Sequence, residues 1–364
     1  MIKSMSIYLL EIPMKEPFTI SLGTLTMTRN IVVELETKEG CIGLGEASPS
    51  KRILGETIED VIETLKILYK QAKEIPPDNI ERLYEIISKV DGAPSAKAAF
   101  EMAYLDILGK EWGKPLCKII GGYREVVNTD ITIGIMEPEE QAKRAKYYVD
   151  HGFSKLKLKL GLDPEKDAER VKTVREAIGD NIVIRVDANQ GWTLEQALWV
   201  INKISEYNVE LVEQPVKWDD IASMKKLTKE GIIPIAADET VKTPKDALLV
   251  AEKEAADIIN IKITKSRGIW GAIKIAAISE AAGIKNMIGC MGESRIGITA
   301  KTHLALGMKN IVYYDLDSDL LPVKDVVEQG GATIHKGDRR VPDMPGLGII
   351  KIKKDIMKLI EKIK

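Results

Sequence analysis

Cysteine and histidine are scarce in this chain of 364 residues, with three of each. Cys41, Cys117 and Cys290 are odd in number and far apart, which excludes a disulfide framework and a cysteine-based zinc cluster. A reducing, cytoplasmic setting is the expectation. No apolar run reaches the roughly 18 residues that a membrane-spanning helix needs. The opening segment, MIKSMSIYLLEIPMKEPF, has a short apolar patch without a small-residue cleavage site, and it reads as a first strand. Neither sign of charge dominates. The 53 basic and 55 acidic residues give a net charge of -2, so neither nucleic acid nor a membrane surface is indicated as a partner.

What is present is the composition of a globular protein, 45% hydrophobic and 30% charged, long enough for two domains. Up to about residue 125 the texture is mixed. SIYLLEI, NIVVELET and GCIGLGEA read as strands of a small antiparallel sheet, and three helices are expected over Ile58 to Ala72, Asn79 to Val90 and Ala93 to Trp112. EPFTISLGTLTMTR and SPSKRILGET fit neither period and read as loops. From about residue 128, eight short apolar segments alternate with charged amphipathic helices: TDITIGI, SKLKLK, NIVIRVDA, NVELVEQ, IIPIAAD, ADIINIKI, KNMIGC and NIVYYDLD. A repeated strand–helix order implies a parallel sheet, and eight units can close as a barrel. A doubly wound open sheet is the alternative, but no G-x-G-x-x-G loop follows the first strand. In the tail, ATIHKGDRRVPDMPGLGI is turn-rich, and KIKKDIMKLIEKI reads as an amphipathic terminal helix packing back on the first domain.

Charged residues interrupt the apolar strands at their C-terminal ends. Lys159 ends the second strand, Asp187 the third, Glu213 the fourth, Asp238 and Glu239 the fifth, Lys262 the sixth, and Asp315 and Asp317 the eighth. From Asp187 to Glu213 to Asp238 to Lys262 the steps are 26, 25 and 24 residues, one strand–helix unit each, so these side chains recur at the barrel's catalytic rim. Singly, each is an ordinary cap or surface charge; the recurrence sets them apart. Three carboxylates from adjacent strands repel unless a cation lies among them. With oxygen donors and no cysteine or histidine, magnesium is the expected ion. Lys159 and Lys262 flank the metal strands. An α carbon between two such amines can lose a proton on one face and regain it on the other. In FSKLKLKLG, Lys155, Lys157 and Lys159 alternate on one strand face. Burial and nearby positive charge are expected to lower the Lys159 pKa, with Lys157 helping. Lys157 is also a candidate donor to the charge that develops in the reaction.

These segments resemble the enolase superfamily, muconate-lactonizing-enzyme subgroup. LKLKLG (Leu156 to Gly161) is similar to its Lys-x-Lys motif, DANQGW, EQP and ADE to its three metal-ligand motifs, and NIKITKSRGI to its second catalytic-lysine segment. The resemblance covers nearly the whole chain. It implies an α/β fold: a (β/α)7β barrel, the modified TIM barrel, over 126–321, with an α+β capping domain from 1–125 to which 322–364 returns. It implies Mg2+ on Asp187, Glu213 and Asp238, and expects Glu239 to orient a ligand or water beside them. Of the subgroup's reactions, the dipeptide epimerases match further. Their Asp-x-Asp after the eighth strand binds the substrate's N-terminal ammonium, and Asp315 and Asp317 stand at those positions. MGES resembles their seventh-strand segment, making Met291 and Glu293 pocket candidates, although Glu293 reads equally as a cap or salt-bridge partner. Alanyl-glutamate epimerases carry an arginine where Gly23 stands here. A small dipeptide without an acidic C-terminal residue is therefore the expected substrate, with Arg52 or Lys51 as the residues that could restore acidic specificity. The alternatives are an o-succinylbenzoate synthase, an N-acylamino-acid racemase, or a silent binding protein of the same fold. His151, His303 and His335 are expected to be structural, and a homo-oligomer is expected.

Overall fold

A computed structural model describes residues 1–364. The chain opens with three antiparallel strands, β1 (Ile2–Ile20), β2 (Gly23–Thr37) and β3 (Ile42–Ala47). Helices α1 (Ile58–Ala72), α2 (Ile80–Lys89), α3 (Pro94–Glu111) and α4 (Leu116–Ile120) follow, then the short strand β4 (Val127–Asn128). The three longer helices lie within a residue of their expected ends at each terminus. Thr57 starts α1 through a reciprocal capping box with Asp60. EPFTISLGTLTMTR is not a loop. It continues β1 and β2 into a long hairpin, pairing Phe18 with Leu25, Thr19 with Thr24 and Ile20 with Gly23. The pairing slips between Pro13 and Phe18, and this irregularity interrupts the strand period. SPSKRILGET has neither helix nor strand before its final Thr57, the α1 cap.

Eight parallel strands come next, at the eight expected places: β5 (Ile131–Ile133), β6 (Lys155–Lys159), β7 (Val183–Asp187), β8 (Val209–Glu213), β9 (Ile235–Ala237), β10 (Ile258–Ile261), β11 (Lys285–Ile288) and β12 (Ile311–Tyr314). Between them lie α5 (Pro138–Asp150), α6 (Pro164–Ile178), α7 (Leu194–Ile204), α8 (Ile221–Glu230), α9 (Pro244–Lys253), α10 (Ile269–Ala281) and α11 (Arg295–Gly307). The sheet curls until its ends meet: the Asp130 amide, just before β5, donates to the Tyr314 carbonyl in β12 at 3.2 Å. With seven helices after eight strands, this is the (β/α)7β arrangement. Leu211, Ala236, Ile258 and Met287 fill the barrel interior, and Arg185 lies buried among Asp130, Glu210 and the Tyr314 carbonyl.

The tail contributes β13 (Val327–Gly330), β14 (Thr333–His335), β15 (Asp338–Arg340), β16 (Ile349–Ile352) and β17 (Met357–Ile363). The expected terminal helix is instead two strands. β16 pairs with β13, and β17 joins the free edge of β1, giving the sheet order β17-β1-β2-β3. An open sheet edge satisfies the backbone groups of a short charged segment that is too weak to hold a helix alone.

Helix α3 is buried all round and lies on β3. Gly43 and Gly45 allow this approach, because a Cβ at either would collide with the carbonyl of Ala103 or Ala99. Gly45→Ala should therefore cost about 1–3 kcal/mol, the usual range for an overpacked core, read as a lower urea midpoint at unchanged slope. An unchanged midpoint would show that the sheet and helix can part without cost.

Candidate active site

Strand register brings the rim charges together. Lys159 pairs with Asp187, and Asp187 with Glu213, so three neighbouring strands present them in one row. Asp238 follows the end of β9, and Lys262 the end of β10. All five are buried, as are Lys157, Glu239, Lys265, Asp315 and Asp317. The expected constellation is assembled in one place.

Each ammonium group has named partners. Lys159 Nζ donates to Asp187 Oδ2 at 2.6 Å and Asn189 Oδ1 at 3.0 Å. Lys262 Nζ donates to Asp238 Oδ2 at 2.7 Å. Lys157 sits among three carboxylates, 2.9 Å from Asp315 Oδ2, 3.1 Å from Asp187 Oδ2 and 2.7 Å from Glu213 Oε2. The last is a charge contact without hydrogen-bond geometry. Lys155 lies lower and donates to the Asn128 carbonyl at 3.3 Å.

Asp317 Oδ2 accepts the Thr132 amide at 2.5 Å, and the Cys290 thiol stands 3.4 Å from Asp317 Oδ1 and 3.7 Å from Asp315 Oδ1. Burial pushes the Asp317 carboxyl up to about 7, with the Asp315 charge adding to it. Burial pushes Asp315 up as well, but Lys157 overrides this and holds it low. Burial and the Asp187 charge lift Glu213 to about 8, and burial with Asp238 lifts Glu239 to about 7. Lys262 is pulled both ways. Burial pulls it down, but Asp238 and Glu213 outweigh this and leave it raised.

The donor set fits a hard divalent cation. With all six carboxylates ionised, Asp187, Glu213, Asp238, Glu239, Asp315 and Asp317 outnumber the four buried ammonium groups, Lys157, Lys159, Lys262 and Lys265, by two. The buried Oε2 atoms of Glu213 and Glu239 have no hydrogen-bond donor. Buried charges left unpaired are costly, and an ion of charge two offsets this excess.

Other expected residues have particular places. Glu293 is engaged by Lys301 at 2.5 Å and by the Met291 amide at 2.6 Å, the salt-bridge role. The Met291 carbonyl accepts from Ser48 at 2.8 Å. Arg52 reaches the hairpin tip and donates to the Leu22 carbonyl, and a Cβ on Gly23 would fall inside its guanidinium. His151 closes the end of α5 and is exposed, His303 is buried and accepts the Cys117 amide at 3.0 Å, and His335 lies in β14.

Sequence reasoning missed three supports. Lys265, three residues after Lys262, donates to Asp238 Oδ1 and to the Asp238 and Asn260 carbonyls. Gln214 Oε1 accepts the amides of Asp238 at 2.9 Å and Thr240 at 3.2 Å. Asn189 joins Lys159 to Glu239, its Nδ2 lying 3.2 Å from Glu239 Oε1. Asn189, Gln190 and Gln214 all have left-handed backbones, with φ of 41°, 70° and 36°. Such strain gathers where surrounding contacts fix a working geometry. Asn-Gln in DANQGW and Gln in EQP were the available signals.

Residues 4–121 match the family model described as Mandelate racemase / muconate lactonizing enzyme, N-terminal domain, and residues 139–355 match Enolase C-terminal domain-like. The chain belongs to this family of the enolase superfamily. It is 44% identical over 351 residues to the hydrophobic dipeptide epimerase of Enterococcus faecalis (strain ATCC 700802 / V583), covering 96% of this chain and 99% of that one. The crystal structure of the dipeptide epimerase from E. faecalis V583, complexed with Mg and dipeptide L-Leu-L-Tyr, has a TM-score of 0.93 at 42% identity, over 96% of this chain and 99% of that one. A substrate-liganded complex of the L-Ala-D/L-Glu epimerase from Bacillus subtilis has a TM-score of 0.93 at 37% identity, over 96% and 98%.

Proposed function

We propose that this chain is a magnesium-dependent dipeptide epimerase that inverts the α carbon of the C-terminal residue by two-lysine proton transfer. The observation that carries the reading is the pair Lys159 and Lys262, each held by a different carboxylate of one buried cluster. Asp187, Glu213 and Asp238 would hold Mg2+, with Glu239 orienting their surroundings through Asn189. Bound there, the ion would take the substrate carboxylate and offset the negative charge that grows on it as the α proton leaves. Lys159 exchanges that proton on one face and Lys262 on the other. Lys157 supports Asp187, Glu213 and Asp315 from within the barrel. Asp315 and Asp317 receive the substrate's ammonium, and the Thr132 amide fixes the second of them. A succinyl group in place of that ammonium would meet like charge, which disfavours the synthase and acylamino-acid alternatives.

The preferred dipeptides end in an apolar residue. Gly23 supplies no cation, and the Arg52 guanidinium is tied to the Leu22 carbonyl. Phe18, Ile20, Leu22, Leu25 and Met27 in the hairpin offer apolar surface. The likeness to a hydrophobic dipeptide epimerase supports the same choice. Residues 1–125 form the capping part and 126–321 the catalytic barrel; of the tail, β17 returns to β1 of the cap, while β15 pairs with β4 beside the barrel. A cytoplasmic setting is supported by three unpaired cysteines. No helix is long and apolar enough to cross a membrane.

Lys159→Ala and Lys262→Ala should each lower turnover by roughly 10²–10⁴-fold, the range for acid–base groups, with substrate binding retained. Each variant should still exchange the α proton of one isomer in heavy water. Wild-type epimerization by either would contradict a two-base mechanism.

A library of L,L-dipeptides in heavy water, read by mass spectrometry, should gain label in members ending in Leu, Met, Phe or Tyr. Label confined to members ending in Glu or Asp would overturn the apolar assignment and make Arg52 the residue responsible.

The Asp317 carboxyl lies at about 7, up from an ordinary 3.8. Below about 7 it is protonated and cannot pair with an ammonium, so kcat/KM should fall as pH drops through that value. Asp317→Asn should remove this limb of the profile; an unchanged limb would assign it to another group. The sign for folding is opposite. The folded chain keeps this proton between 3.8 and about 7, so stability from this group declines as pH rises across that window.

A further inference from the structure

Barrel helices usually open on a side chain of their own. Asp163 caps α6, Thr193 α7, Asp220 α8, Thr243 α9 and Ser294 α11. Helix α10 opens on Gly268, which has no side chain to offer. A Cβ there would run into the carboxylate of Glu101, which comes from α3 in the capping part. Glu101 is fully buried. Its Oε2 accepts the Ile269 amide, and both oxygens lie within reach of the Trp270 amide, at 3.2 and 3.3 Å. Carboxyl oxygens on the first free amides of a helix give those donors the partners they otherwise lack.

The segment it clamps is the one that carries Lys262. Residues 262 to 268 form a compact turn that bonds to itself. The Ser266 amide donates to the Lys262 carbonyl at 3.0 Å, and the Gly268 amide to the Ile263 carbonyl at 3.0 Å. Ser266 Oγ lies 2.9 Å from the Gly268 carbonyl and 3.2 Å from those of Lys262 and Ile263. Arg267 completes the turn with a left-handed φ of 62°. From within the same turn Lys265 reaches back to Asp238. The turn is thus held at one end by β10 and at the other by Glu101.

We propose that Glu101 is a positioning residue for Lys262: a capping-domain carboxylate that completes the N-terminus of α10 and so fixes the turn carrying one of the two proton-exchanging lysines. This rests on the two-lysine reading above. Lys159 lies at the end of β6 and shares no turn with Glu101, so the dependence is one-sided. Glu101 would tie one half-reaction to the docking of the capping part.

Deuterium wash-in at the α carbon, measured separately from the L,L and L,D isomers of one dipeptide, tests this. The isomer served by Lys262 is the one that Lys262→Ala no longer labels. Glu101→Ala, verified as folded by circular dichroism at the assay temperature, should slow labelling of that isomer by on the order of ten- to a hundred-fold, the cost of misplacing a reacting group by about an ångström. Labelling of the other isomer should be nearly unchanged. Glu101→Gln keeps the shape and one acceptor, and should show a smaller loss confined to the same isomer; if the alanine variant does not fold, this variant carries the test. Equal slowing of both isomers, or of neither, would overturn the positioning role. Failure of the unmutated protein to label either isomer would instead overturn the epimerase reading itself.

Discussion

Everything at the barrel mouth depends on one electrostatic constraint: more carboxylate than ammonium charge, buried away from water. Two like charges 4 Å apart cost about 4 kcal/mol at an effective dielectric of about 20. Asp187 and Asp238 act in this way on both Glu213 and Glu239. Part of the cost is met by protein cations. Lys157 stands between Asp187, Glu213 and Asp315, while Lys262 and Lys265 share Asp238. A divalent ion there would offset the remainder. The same crowding explains why Glu213 and Glu239 rise toward neutral pH while Asp238 is held low.

The fold answers this constraint by fixing side chains through their neighbours. Gln214 accepts the amides around Asp238, and Asn189 spans from Lys159 to Glu239. Their left-handed backbones follow the ends of β7 and β8, where only close contacts on all sides keep such conformations. The capping sheet closes over this rim at two places. At the hairpin tip, Ser21 Oγ donates to the Asn189 carbonyl at 2.9 Å. At β3, Glu46 accepts from Asn30, from the amide and hydroxyl of Ser294 and from the Gly297 amide, which ties the start of α11 to the cap.

Much of the barrel was legible in the sequence, because alternation of apolar strands with charged helices survives in each unit. The site was legible for a related reason: polar residues that break an apolar strand at a constant repeat stand out, as Asp187, Glu213, Asp238 and Lys262 do. The hairpin beyond Pro13 was not, since its pairing slips between Pro13 and Phe18 and interrupts the period there. The last segment read as a helix because KIKKDIMKLIEKI carries a helical period, whereas the open edge of β1 decides its conformation. Lys265 and Glu101 escaped notice because nothing local marks them. Each acts on a residue brought near only by folding, Glu101 across 168 positions to Ile269.

The most direct test follows the α proton by NMR in heavy water with one L,L-dipeptide such as L-Leu-L-Tyr, with magnesium, with a chelator, and with magnesium restored. The account predicts deuterium at the α carbon of the C-terminal residue and growth of the L,D isomer, both lost with the chelator and regained with the ion. Exchange that ignores the chelator, or label that enters the N-terminal residue instead, would contradict it.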